Sequence, residues 1–159
     1  MHPSMFAIIT GATGQAPVSP FNHLAPTLQL FYDTVLLGTK LIPLALTLGD
    51  TEEWGKEVGF LFGPTRSQSE DSFIAQAMHL AMMYHQHSIL THKGFHIVDT
   101  GEVTAVRNFN VKPVTEPTLI TFKEPLFSYQ SAFNGSATGV TLVCPLDPTF
   151  RPYFLEAIP

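Results

Sequence analysis

SQSEDSFIAQAMHLAMMYHQHSIL, running from Ser67 to Leu90, is the stretch on which the reading of the fold turns. It opens with Ser67-Gln68-Ser69-Glu70, a capping-box pattern. In such a box a hydroxyl takes an orphan helix N–H and the glutamate three residues on reaches back. Asp71 adds negative charge where the helix dipole favours it. Phe73, Ala77, Leu80 and Tyr84 then recur at helical spacing beside Ile74, Met78 and Ala81, and Gly94 offers a stop. The spacing predicts one helix over about residues 69–90.

On either side of that helix the chain reads in strands. Upstream, Met5–Thr10 is a short apolar run ended by Gly11 and Gly14, and Lys56–Phe62 is a strand closed by Gly63-Pro64. Between them lie a Pro-punctuated loop over Gln15–Pro26 and Thr27–Leu37, which fits strand or helix, with strand favoured. Lys40–Leu48 carries Pro43 and is expected at a sheet edge, followed by a polar turn at Gly49–Gly55. Downstream of Gly94 the pattern turns to period two. Phe95–Asp99 and Glu102–Lys112 alternate, with Val103, Ala105, Phe109 and Val111 on one face and Arg107 interrupting it. Thr118–Lys123, Leu126–Phe133 and Thr138–Cys144 follow as strands between proline and Asn-Gly punctuation. The fold class expected is α+β, mainly β: a sandwich or barrel of roughly seven to nine short strands with one packed helix. No repeat or linker divides the 159 residues, so a single domain over 1–159 is expected.

Composition narrows the function classes. Charged residues make up 13% of the chain, against about 25% for ordinary globular proteins, and there are thirteen Phe. An exterior so poor in charge needs neutral polar cover or apolar patches meant for a partner. The eight Lys and Arg are scattered and the formal charge is −5, which argues against direct nucleic-acid binding. Met1–Thr10 lacks a basic n-region, and Leu41–Leu48 is brief and broken by Pro43. Synthesis in the cytoplasm without a signal peptide, and no membrane span, are the expectations. The lone Cys144 cannot form an internal disulfide and reads as a small buried hydrophobe.

Three stretches could carry chemistry. Gly11-Ala12-Thr13-Gly14, after Phe6–Thr10, resembles the nucleotide loop of the short-chain dehydrogenase family. The third glycine of that pattern is Pro17 here, and no Tyr-x-x-x-Lys pair follows, so a Gly-rich turn is the simpler reading. Histidine is the stronger candidate, with five of the seven between His79 and His96. In extended chain His85 and His87 would share a side, and His92 would complete a facial site for a divalent transition metal. On a helix His85 and His87 sit about 200° apart and could not share one ion. The His-x-His also resembles the first cupin motif, but His92 stands at the glutamate position and the second motif is missing. Met78, Met82 and Met83 are expected to fill core rather than bind soft metal. Glu52-Glu53 and Glu70-Asp71 are expected to be solvated, and no Gly-x-Ser-x-Gly elbow marks a nucleophile.

With no complete catalytic motif, the composition favours a non-enzymatic structural subunit of a larger oligomeric assembly, such as a virion or phage-particle component. Its partners would be copies of itself and other subunits, and it would need no cofactor. A small metal-dependent enzyme or binding protein using His85, His87 and His92 is the alternative. A Phe-lined barrel holding a small molecule is a third.

Overall fold

The computed structural model describes residues 3–10, 40–51, 55–83, 86–114 and 140–158. The elements run β1 (Ala7–Thr10), β2 (Leu41–Thr51), β3 (Gly55–Pro64), α1 (Glu70–Met83), β4 (Ser88–Thr91), β5 (Gly94–Ile97), β6 (Val103–Ala105), β7 (Asn108–Pro113), β8 (Val140–Pro145) and β9 (Tyr153–Ile158). The strands form one antiparallel sheet in the order β6-β5-β4-β1-β3-β2-β8-β9-β7. The fold is thus α+β and mainly β, as the sequence leads one to expect.

Its two outermost strands are neighbours in the chain. β6 pairs with β5 at one edge and β7 pairs with β9 at the other, with only Val106 and Arg107 between them. Val106 N–H donates to Lys93 C=O (3.3 Å) and Arg107 N–H donates to Ile158 C=O (2.7 Å), so the change of partner falls between adjacent residues. A two-residue link cannot span a flat sheet of nine strands about 4.8 Å apart. The sheet therefore curls. Arg107, which breaks the alternation of 102–112, marks the place where one expected strand becomes two.

The curl gives the sheet an inner and an outer face, and both are buried. Phe6, Ile8, Leu61, Leu90, Val143, Tyr153 and Leu155 form the inner cluster, with Phe95, Val106 and Phe109 packed against it. The Phe6 and Phe109 rings meet edge to face at 5.3 Å, although β1 and β7 lie five places apart in the sheet. Alternate residues of the same strands, Ala7, Ile9, Phe60, Phe62, Leu142 and Cys144, face outward and join Phe73, Ala77, Leu80 and Ala81 of α1. Burial on both faces explains why residues 6–9, 60–62 and 142–144 are apolar without polar alternation. The exposed β6 and the partly exposed β7 are where polar residues return.

Two boundaries differ from expectation for local reasons. The helix N-cap is Ser69, whose Oγ accepts the Ser72 N–H (3.1 Å); Ser67 has a positive φ of 64° and precedes the cap. Gln68 Oε1 instead takes the Thr65 N–H (3.1 Å), and Glu70 turns toward the sheet. At the other end α1 stops at Met83, and Gln86 N–H donates to Ala81 C=O (2.9 Å) in the six-to-one pattern of a helix terminus. Ser88–Thr91, expected in the helix, is β4: Ile89 packs outward and Leu90 inward. Pro43 does not put β2 at an edge. The strand lies between β3 and β8, and a bulge between Pro43 and Ala45 accommodates the missing N–H. The expected elements at 27–37, 118–123 and 126–133 lie outside the described residues.

Candidate functional site

A group of polar side chains meets where α1, the start of β1 and the β4–β5 turn come together. Glu70, in the first turn of α1, places one carboxylate oxygen 3.0 Å from His92 Nε2 and the other 2.8 Å from Lys93 Nζ. His92 Nδ1 lies 3.2 Å from the Phe6 N–H and 3.3 Å from the Phe6 carbonyl oxygen. With its proton on Nε2, the neutral ring donates to Glu70 and accepts from Phe6. The ring also stands against Phe6 and Phe73, with centroids 6.2 and 6.3 Å away. Lys93 first, and then His92, hold the Glu70 carboxyl below its ordinary value, while Glu70 raises Lys93. Asp71 beside it is exposed to solvent, as expected.

A second pair lies on the outer face of the adjoining strands. Thr91 and His96 are buried, with Thr91 Oγ1 2.6 Å from His96 Nε2. Lys93 N–H donates to the same hydroxyl (3.1 Å), which leaves the hydroxyl proton for His96. The ring then accepts at Nε2 and stays neutral. Burial lowers the His96 pKa from its ordinary 6.5, helped by the nearby His92 and Lys93. Cys144 is buried on the same face, and burial pushes its thiol up to about 12, so it stays an unreactive thiol at neutral pH.

No protein-family model, curated protein or solved structure matches this chain. Of the three proposed metal ligands, His85 lies outside the described residues. The His87 side chain is exposed, its carbonyl taking the Val98 N–H (2.9 Å), and both His92 nitrogens are engaged by Phe6 and Glu70. Among the described residues no three His, Cys, Asp or Glu side chains are grouped to hold a metal ion. Met78 packs against the core, but Met82 and Met83 are exposed, because helical rotation carries them away from the buried face of Phe73, Ala77 and Ala81. The partners of His92 lie 86 and 22 residues away in sequence, and no spacing signal announces them.

The Glu70–His92–Lys93 junction thus fastens three elements, and Thr91–His96 satisfies buried polar atoms. Stability should be pH-dependent in a defined direction. A histidine whose folded-state pKa is lowered contributes stability that is complete above its ordinary 6.5 and is lost as pH falls through the folded-state value. Glu70 adds a loss of the same sign below its ordinary 4.5. Urea midpoints measured from pH 8 to pH 5 should fall with pH, and His96→Gln should flatten that slope. An equal slope in the variant would remove His96 from this role.

Proposed function

We propose that this chain is a non-enzymatic structural subunit of a larger symmetric assembly, with a virion or phage particle as the leading instance. The observation that carries the reading is the set of large apolar side chains left facing water. Met82 and Met83, at the end of α1, are 59% and 53% exposed, and Val103 and Val111, on the two edge strands, are 47% and 45% exposed. Single exposed hydrophobes are ordinary on any protein. Here they accompany a charge content of 13%, about half the usual share, and subunit contacts favour such a depletion of charge with Phe and Met enriched. The histidine and carboxylate groups described above bond to one another and to the backbone, which suits a stabilising role better than a catalytic one. Among the described residues no helix is long and apolar enough to cross a membrane.

Charges placed on the exposed apolar side chains test the reading. Met82→Glu together with Met83→Glu should leave the fold intact, since both side chains point away from the core. The double variant should have a lower native mass than the parent at equal concentration, with an unchanged far-UV spectrum. An unaltered native mass would show that this surface joins nothing.

A further inference from the structure

We propose that the β4–β5 turn is an acid-operated latch: a proton on the buried His96 releases the first turn of α1 and the start of β1, while β2, β3 and β8 stay paired. The inference is independent of the assembly reading. The turn, His92 and Lys93, makes both attachments. His92 Nε2 holds Glu70 of α1 at 3.0 Å, and Nδ1 accepts the Phe6 N–H at 3.2 Å. The His92 N–H donates in turn to the Phe6 carbonyl (3.3 Å), and Lys93 Nζ holds the other Glu70 oxygen at 2.8 Å. Whatever displaces residues 92 and 93 therefore detaches the helix start and the strand start together.

His96 is placed to displace them. It is 4% exposed, and its hydrogen bonding runs one way: the Lys93 N–H donates to Thr91 Oγ1 (3.1 Å), which gives its own proton to His96 Nε2 (2.6 Å). A proton arriving on Nε2 would point at the hydroxyl proton. Thr91 would have to swing that proton away, although the residue is 0% exposed. The cost is a charge and a hydroxyl proton held away from water, on the same oxygen that fixes the turn through Lys93.

The neighbouring groups set the direction of the response. From the turn, His92 and Lys93 both disfavour a charge on His96. From α1, Glu70 is engaged by His92 and Lys93, and Asp71 acts on Lys93. β4 and β6 stand opposite His96 with Ile89 and Val103. The hairpin cannot yield toward β6, because Gly94 lies so close that a Cβ there would meet the Thr104 carbonyl. It yields toward α1, where the Glu70 side chain is 41% exposed. Burial lowers the His96 pKa from 6.5, so the latch is shut above that value and opens as pH falls through the folded-state one.

Amide hydrogen exchange at pH 8 and pH 5, corrected for its intrinsic pH dependence, tests the latch. In the wild type, protection at Phe6, Phe73, His92 and Lys93 should fall about tenfold or more at pH 5, while Phe60, Leu61, Phe62 and Leu142 keep theirs. In His96→Gln, neutral at both pH values, all of these amides should stay protected. Unchanged protection at the four latch amides of the wild type, equal loss in the variant, or uniform loss across the sheet would overturn the proposal. If His96→Gln does not fold, the imidazole resonances of the wild type decide. Titration of His96 should coincide with the loss of protection at His92 and Lys93, and a His96 that titrates while those amides stay protected would overturn it.

Discussion

Phe73→Ala should cost about 3–5 kcal/mol of folding stability, the range for emptying a fully buried aromatic position. Phe73 is 0% exposed and forms part of the apolar contact between α1 and the outer face of the sheet, with Ala7, Ile9, Phe60, Phe62 and Ile89 in the same cluster. The other helix residues at that contact, Ala77, Leu80 and Ala81, are two small and one large, so Phe73 supplies much of the volume. Neighbours held in β-ladders on both sides cannot collapse into the space it would leave, and the cavity term would persist. The ring also backs His92, so its loss should loosen the junction with Glu70. Against a total of about 5–15 kcal/mol for a domain of this size, that is a large share of the folding stability. His79→Ala, on the exposed side of the same helix, should change stability by no more than about 0.5 kcal/mol. Urea denaturation of the two variants checks the pair of values. A loss below about 1 kcal/mol for Phe73→Ala would mean that the helix does not cover the sheet.

Gly94→Ala should be nearly as damaging, for a backbone reason. Gly94 opens β5 with a φ of 140°, a conformation open to glycine and strained for any L side chain. A Cβ there would also run into the Thr104 carbonyl and the Ala105 Cα of β6, which are backbone and cannot rotate aside. About 3 kcal/mol or more follows from strain and collision together. The damage should be directional. Among the described residues β6 pairs only with β5, so the displaced strand would release the link through Val106 and Arg107 that ties the two edges of the sheet together. Hydrogen exchange should therefore show early loss of protection at Ile97, Val106 and Arg107 while β3 and β8 stay protected. Uniform loss, or none, would contradict the role given to this turn.

The parts of this fold legible in sequence are those set by local pattern. Phe73, Ala77 and Leu80 at helical spacing announce α1, and the short apolar runs at 6–9, 58–62 and 142–144 announce strands. The helix end is not marked locally: Tyr84–Leu90 continues an amphipathic pattern, while Ile89 and Leu90 find better burial on opposite faces of a strand. β9 alternates Tyr153, Leu155 and Ala157 inward, yet lies among closely spaced prolines that suggest turns. Pairing is not written locally at all. Nothing in 102–112 says that its two halves serve opposite edges, apart from the break at Arg107. The same holds for the Glu70–His92 junction. Histidine density drew attention to His85, His87 and His92 as a set, whereas the structure gives His92 partners of a different kind.

Low charge and outward-facing apolar side chains lead to one measurable consequence. The native mass of the isolated 159-residue chain, determined by light scattering behind size exclusion at micromolar concentration, tests it most directly. A mass of two or more chains, persisting on moderate dilution, is the result predicted. A single species near 17.5 kDa at every concentration would contradict the assembly role.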